Sequence, residues 1–194
     1  MKFECKVIDD FIPLSQQEEI KNTLFDRNFP WYYSADVTFG PEHLLESQAC
    51  PAFNHNFRAG FITNTPYYQQ FTNLGHRGAE IAGFKYQDII NCRSFLQFPL
   101  SKEIYKAVDP LHVDTDCDHL VVLYYVCDSD GDTIIVDRKS EGTIRETRLE
   151  AKNYPTLWRV TPKQGRAVLF NGRYYHTAEQ PTKSRRCVVN INVI

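Results

Sequence analysis

The chain lacks the features that mark several protein classes. None of its six cysteines forms a Cys-x-x-Cys pair, which argues against a zinc ribbon or a thioredoxin-like redox site. No apolar run approaches the roughly 20 residues of a membrane-spanning helix. Basic side chains number 22 and acidic side chains 24, with a net charge of -2 and no basic block. We therefore expect neither a membrane nor a nucleic acid as its partner.

The 194 residues predict a single domain, with supporting helices, strands and loops over 1–90 and a β-rich core over 91–194. Hydrophobic residues make up 42% of the chain and aromatic residues 13%, a composition that favours a globular, sheet-rich fold. No apolar core of a signal peptide follows the first residues. We therefore expect a cytoplasmic protein with reduced, mostly buried cysteines.

Hydrophobic spacing separates a helical N-terminal part from a C-terminal part of short strands. Ser15 followed by Glu18 predicts a capping box that opens a helix ending near Phe25. A second helix is predicted over 67–83, and residues 34–66 predict long loops with one strand near 57–63. Further strands are predicted over 88–98, 119–127, 133–137, 157–161, 166–170, 173–176 and 185–194. This order predicts an α+β chain, mainly β, built on a closed or sandwiched β-roll.

One short motif offers metal ligands. In an extended strand, residues two apart point to the same face, so His112 and Asp114 would aim at one point. His176 lies on another predicted strand and could supply a third ligand. Two histidines and one carboxylate leave coordination positions open, as iron(II) oxygenation requires. The same stretch also contains Asp116, Asp118 and His119, so the ligand set could be shifted by a few residues.

The last predicted strand places an arginine on a polar face. Arg186, Val188, Asn190 and Asn192 share one face by parity, whereas the opposite face is apolar after Arg185. Buried amide side chains need hydrogen-bonding partners, so this face is predicted to line a polar pocket. An arginine there can hold a carboxylate through two parallel hydrogen bonds.

The C-terminal half resembles the iron(II)- and 2-oxoglutarate-dependent dioxygenases, and most closely their prolyl 4-hydroxylase-like branch. The resemblance rests on the order of several short motifs and on the ten-residue spacing between the last two of them. These motifs are His112-Val113-Asp114, Leu123-Tyr124-Tyr125-Val126, Asp130-Gly131-Asp132-Thr133, Pro162-Lys163-Gln164-Gly165-Arg166-Ala167-Val168-Leu169-Phe170, His176 and Arg186.

This resemblance implies a double-stranded β-helix, also called a jelly roll, and a hydroxylase. It implies that His112, Asp114 and His176 bind iron(II) and that Arg186 binds the distal carboxylate of 2-oxoglutarate. Tyr125 resembles a tyrosine that hydrogen-bonds the same co-substrate, although a plain core tyrosine is an equal alternative. The implied reaction consumes O2 and 2-oxoglutarate, hydroxylates a C–H bond and releases succinate and CO2.

The substrate implied by the branch is a protein or peptide residue, most often proline, with small molecules as the alternative. Three positions depart from the family pattern and leave the subfamily open: Asp132, Cys127 and Arg166. Aromatic residues could line a substrate entrance, although packing of the N-terminal helices is the favoured interpretation. They are Trp31, Tyr32, Tyr33, Phe95 and Tyr105.

Two functions of other classes compete with this hypothesis. A cupin-like isomerase or hydrolase could use the same two histidines and one aspartate but would not need Arg186. A binding module could retain the fold without turnover. Binding of 2-oxoglutarate and formation of succinate distinguish the three.

Overall fold

A computed structural model describes residues 5–36, 51–100, 109–141 and 150–194. It contains helix α1 (Leu14–Leu24) and helix α2 (Thr72–Ala82), which continues from a 3-10 turn at Pro66–Phe71. The described strands are β1 (Cys5–Ile8), β2 (Tyr32–Ser34), β3 (Ala52–Ala59), β4 (Ile62–Thr63), β5 (Ile89–Gln97), β6 (Leu120–Tyr125), β7 (Thr133–Lys139), β8 (Thr156–Val160), β9 (Ala167–Asn171), β10 (Tyr174–Ala178) and β11 (Arg186–Val193).

The strands form two antiparallel sheets. The larger sheet has the order β1-β9-β6-β11-β5-β3-β2. Strand β4 pairs with the C-terminal end of β3. The smaller sheet has the order β10-β7-β8. Side chains of both sheets meet in a common apolar layer, which is the arrangement expected of the predicted β-roll.

Strand β6 shows how the sequence produces the layers. All six of its residues are buried, because the strand lies in the middle of the larger sheet with apolar layers on both faces. Leu120, Val122 and Tyr124 pack with the helices, whereas Val121, Leu123 and Tyr125 pack toward the smaller sheet. A near-continuous apolar run is the expected pattern for such a strand.

Most predicted strands are confirmed within a few residues, but the N-terminal part differs in three respects. Helix α1 has Pro13 at its N-cap and no side-chain cap, so the predicted capping box is wrong. The strand predicted near 57–63 is a hairpin, β3 and β4, that turns at Gly60 and Phe61. The helix predicted over 67–83 begins as a 3-10 turn and becomes α-helical only at Thr72.

Two further observations concern the helices and the cysteines of the described residues. The described residues include no helix that is both long enough and apolar enough to cross a membrane. The five cysteines within the described ranges are free thiols, and Cys92, Cys127 and Cys187 are buried. Cys50 lies outside the described residues.

Candidate metal and co-substrate site

The three predicted metal ligands converge. His112 and Asp114 precede β6, and His176 lies in β10. The backbones of His112 and His176 exchange two N–H···O=C hydrogen bonds of 3.0 Å, which holds the ring centroids 4.6 Å apart. One ligand atom from each of His112, Asp114 and His176 lies within 4.8 Å of the other two.

Backbone carbonyls set the tautomer of both histidines. Nδ1 of His112 lies 3.3 Å from the carbonyl oxygen of Pro110, and Nδ1 of His176 lies 3.2 Å from that of Tyr174. A carbonyl only accepts hydrogen bonds, so Nδ1 carries the proton and Nε2 offers its lone pair. Burial, and then the charge of His112, lowers the pKa of His176 to about 4, which keeps this ring neutral near pH 7, as metal binding requires.

Asp114 is a buried carboxylate with several donors. Its side chain is 2% exposed, and Oδ1 accepts a hydrogen bond of 2.7 Å from Nη2 of Arg93. Nδ2 of Asn192 donates to Oδ2 at 2.9 Å, and Nδ2 of Asn190 lies 3.2 and 3.1 Å from the two oxygens. Burial alone would raise the pKa of Asp114, but the charge of Arg93, and those of the neighbouring histidines when they are protonated, outweigh it and hold this pKa well below its usual range.

The other carboxylates of this stretch stay outside the cluster. Asp116 and Asp118 are exposed, and Asp118 lies 3.6 Å from the guanidinium of Arg173. His119 is buried, and its Nδ1 lies 2.8 Å from the carbonyl oxygen of Cys117. None of the three belongs to the group of candidate ligands found among the described residues. The geometry therefore favours Asp114 over the shifted alternatives.

The donor set fits a divalent transition metal. Two neutral imidazoles and one ionised carboxylate are the ligand types that non-haem iron(II) oxygenases use. The Nε2 atom of His176 lies 3.7 Å from Oδ2 of Asp114, so both can point toward one ion.

Arg186 lies in the same cavity as the histidines. The cavity has a volume of about 60 Å3, and its lining includes His112, His176, Thr133 and Arg186. The guanidinium of Arg186 is buried and donates three hydrogen bonds of 3.0 to 3.1 Å to uncharged oxygens, those of Gly131, Gln97 and Thr133. Burial lowers its pKa, against the opposing effect of Tyr125 and Asp109. A buried cation with neutral acceptors is well suited to receive the carboxylate of a ligand.

Tyr125 reaches this cavity through Thr133. Its hydroxyl donates to Oγ1 of Thr133 at 2.8 Å, and Tyr125 itself does not line the cavity. Burial raises the pKa of Tyr125 to about 12, so the phenol keeps its proton and remains a donor. Thr133 accepts from both Tyr125 and Arg186, which leaves its own hydroxyl hydrogen to donate. Arg185 is exposed, and its guanidinium stacks 3.8 Å from the ring centre of Phe25.

Sequence reasoning missed three polar residues of the site. Arg93 and Gln97 alternate with buried Cys92, Ser94 and Leu96 along β5, so strand parity could have identified both. Asp109 offered no such signal, because it belongs to none of the strands. Its carboxylate accepts from Nε2 of Gln97 at 3.2 Å and from Nε2 of Gln180 at 2.6 Å.

Comparison with known proteins identifies the fold of the chain. No protein-family model matches the chain, and no curated protein matches its sequence. Among solved structures, the non-haem α-ketoglutarate-dependent epimerase SnoN from nogalamycin biosynthesis matches with a TM-score of 0.70 at 10% identity, over 100% of this chain and 79% of that one.

Two bacterial structures agree with this match. A 2OG-Fe(II) oxygenase-family oxidoreductase from Burkholderia pseudomallei has a TM-score of 0.67 at 12% identity, over 99% of this chain and 86% of that one. A prolyl-4-hydroxylase from Pseudomonas putida has a TM-score of 0.61 at 12% identity, over 99% and 93%. The fold is that of the 2-oxoglutarate- and iron(II)-dependent oxygenases. The predicted double-stranded β-helix is thereby confirmed.

The aromatic residues considered for a substrate entrance have different surroundings in the structure. Phe95 lines the cavity beside the histidines. Trp31 packs against Phe29 at a ring distance of 5.0 Å and donates to the carbonyl oxygen of Leu24, which is a structural role. Tyr32 and Tyr33 are exposed. Tyr105 lies outside the described residues.

Proposed function

We propose that this protein is an iron(II)- and 2-oxoglutarate-dependent oxygenase. The observation that carries the proposal is the convergence of His112, Asp114 and His176 beside a cavity that also contains the buried Arg186. The reaction joins a substrate C–H bond, 2-oxoglutarate and O2 to give a C–OH product, succinate and CO2.

The metal ligands are assigned by their donor atoms. Nε2 of His112, Nε2 of His176 and Oδ2 of Asp114 would hold iron(II), which when bound supplies the activation of O2. Pro110 and Tyr174 keep the two imidazoles in the required tautomer through their carbonyl oxygens. The protein thereby holds three donors ready before the ion arrives.

The co-substrate would be bound by the polar part of the cavity. Arg186 and the hydroxyl of Thr133 would receive the distal carboxylate of 2-oxoglutarate, and Tyr125 orients Thr133. Direct contact between Tyr125 and the co-substrate, as the resemblance implies, stays a prediction. Apolar side chains form another part of the lining and would exclude water from the reacting groups: Phe95, Val121, Leu123, Phe170 and Val188.

The substrate is proposed only as a class. The matching structures include prolyl hydroxylases and enzymes of nogalamycin biosynthesis. We accordingly propose that the oxidised C–H bond belongs to a peptide or protein residue, such as proline, or to a small molecule.

Two adjacent arginines provide the test. Arg186 is buried in the cavity, whereas Arg185 is exposed and points to Phe25. Removing one partner of a buried charge pair costs about 3 kcal/mol, so Arg186→Ala should weaken 2-oxoglutarate binding on the order of 100-fold. Arg185→Ala should leave it unchanged. The measurement is an anaerobic titration of the Fe(II)-loaded protein with 2-oxoglutarate, followed by its charge-transfer absorption.

The outcomes separate the competing functions. A metal-loaded wild-type protein that does not bind 2-oxoglutarate would favour a non-oxidative metal enzyme. A protein that binds both but forms no succinate in air, with candidate peptides and small molecules present, would favour a binding module. Equal 2-oxoglutarate affinities of Arg186→Ala and wild type would show that Arg186 does not bind the co-substrate.

A further inference from the structure

Asp114 is the end point of a chain of amide hydrogen bonds. The backbone N–H of Gly60 donates to Oδ1 of Asn91 at 3.1 Å, and Nδ2 of Asn91 donates to Oδ1 of Asn192 at 3.3 Å. Nδ2 of Asn192 donates both to Oδ1 of Asn190 at 3.3 Å and to Oδ2 of Asp114 at 2.9 Å. Nδ2 of Asn190 then reaches the same carboxylate. Each amide accepts on the side of Gly60 and donates on the side of Asp114.

We propose that Asn91, Asn192 and Asn190 form a positioning relay that orients Asp114 to bind the metal through a single oxygen. This inference rests on the proposed metal site and deepens it. In this role the three asparagines act through Asp114, and Asn190 in addition lines the cavity.

The burial of these amides supports a specific role. Asn192 is 0% exposed and Asn190 is 6% exposed, in a strand whose opposite face is wholly apolar. An unpaired buried polar group costs about 1 to 3 kcal/mol, so amides at these positions are tolerated only with partners. The register supplies the partners, because Asn192 pairs with Asn91 across the β11–β5 ladder.

The hydrogen bonds also fix which oxygen of the carboxylate faces His176. Each oxygen accepts two of them: Arg93 and Asn190 donate to Oδ1, and Asn192 and Asn190 donate to Oδ2. Oδ1 of Asp114 holds the short hydrogen bond from Arg93, at 2.7 Å. Oδ2 faces His176, with Nε2 at 3.7 Å. Rotation of the carboxylate would break the hydrogen bonds from Asn192 and Arg93 together. The donors therefore hold the orientation in which Oδ2 faces His176 and would be the metal ligand.

The test measures binding of Mn(II) alone to the full chain by electron paramagnetic resonance titration. Partners that orient a metal ligand typically contribute 10- to 100-fold in metal affinity, so Asn190→Ala and Asn192→Ala should each weaken Mn(II) binding by about that factor. Asn91→Ala lies one step farther away and should weaken it by roughly 3-fold, because only the orientation of Asn192 is lost. Asn56→Ala is the matched control, an exposed asparagine opposite Arg93 that should bind Mn(II) like wild type.

A spectrum distinguishes positioning from general destabilisation. Loss of the relay frees Asp114 to bind through both oxygens, which raises the coordination number and lowers the intensity of the d–d bands of the Co(II)-loaded protein. Thermal unfolding of each metal-free variant verifies that it is folded, and Asn91→Ala, at the half-exposed end of the relay, provides the readout if an inner variant does not fold.

Two results would overturn the inference. Unchanged Mn(II) affinity and an unchanged Co(II) spectrum in the folded Asn190 and Asn192 variants would show that the asparagines do not position Asp114. The proposed metal site would stand. A wild-type protein that binds no Mn(II) would instead overturn the metal site itself, and the relay with it.

Discussion

At the scale of single residues, burial distinguishes Asp114 from its acidic neighbours. Asp114 lies within reach of both histidines and has an almost fully buried side chain, whereas Asp116 is exposed. Asp114→Ala should reduce Fe(II) or Mn(II) affinity by more than about 100-fold, since a ligand is lost rather than one of its supporting partners. Asp116→Ala should bind as wild type does. Calorimetric titration measures both, and retained affinity in Asp114→Ala would move the ligand to Asp116 or Asp118.

Gln97 offers a test of the co-substrate pocket. Its Oε1 accepts a hydrogen bond of 3.1 Å from Arg186. Gln97→Glu would place a carboxylate against this guanidinium, in competition with the carboxylate of 2-oxoglutarate. We expect 2-oxoglutarate affinity to fall by at least about 10-fold, because charge-assisted hydrogen bonds are roughly twice as strong as neutral ones.

The control for this substitution is Gln97→Met, which is of similar size and carries no charge. It should bind 2-oxoglutarate more tightly than Gln97→Glu, and both variants should retain Mn(II) affinity, because Gln97 contacts none of the three ligands. Equal 2-oxoglutarate affinities of the two variants would contradict the assignment of Arg186 as the anion anchor.

Residue identity and strand parity account for much of what the sequence could predict about the site. His112 and Asp114 are predicted as ligands because side chains two apart in a strand point the same way, and Arg186 is predicted as a carboxylate anchor because its strand has one polar face. Asp109 could not be predicted, because a single acidic residue outside a strand is not part of any periodic pattern of side chains. The capping box failed because Pro13 takes the N-cap position, so Ser15 falls inside the first turn instead of before it.

At the scale of elements, one aspartate holds the segment that leads into β11. The carboxylate of Asp130 accepts hydrogen bonds from the backbone N–H groups of Thr182, Lys183 and Ser184. Arg186 follows two residues later. Asp130→Asn should lower the free energy of unfolding by about 1 kcal/mol, because hydrogen bonds to a charged acceptor contribute about that much more than hydrogen bonds to a neutral one. Urea unfolding of this variant and of Asp137→Asn, an exposed control, measures the loss.

The contribution of Asp130 to the free energy of unfolding should decrease as the pH falls. Burial opposes the shift, but hydrogen bonds from Thr182 and Ser184 outweigh it and hold the pKa of Asp130 below its ordinary range. A depressed carboxyl pKa stabilises the fold above the unfolded-state value of about 3.9 and loses that effect as the pH falls. The stability difference between wild type and Asp130→Asn should therefore be full at pH 6 to 7 and shrink below about pH 4. A constant difference would contradict the role of the charge.

The β3–β4 hairpin is harder to predict from sequence than the central strands. The run of residues in β6 is apolar throughout because both faces are covered, so its identity was plain from sequence. The β3–β4 hairpin turns through Gly60 and Phe61, both with positive φ. A phenylalanine in that conformation is not a common turn signal, and this explains why one strand was predicted where there are two.

At the scale of the whole molecule, the site depends on how closely helix α2 packs on the larger sheet. Gly75 and Gly78 face this sheet, and their lack of side chains lets the helix approach strands β5, β6 and β11. The opposite side of the same sheet carries Asn190, Val188 and Arg186 toward the cavity. A shift of the helix layer would therefore move the strands on which the site is built.

Gly78→Ala tests this close packing. An added Cβ would overlap Cγ2 of Val122, a fully buried side chain in the centre of the sheet. Alanine gains about 1 kcal/mol in helix propensity over glycine, but overpacking a core costs typically about 1 to 3 kcal/mol. We expect a net loss of about 1 kcal/mol in the free energy of unfolding, measured in urea, whereas Glu80→Ala on the exposed face should change it by less than about 0.5 kcal/mol. A Gly78→Ala variant more stable than wild type would show that the helix does not limit the approach to β6.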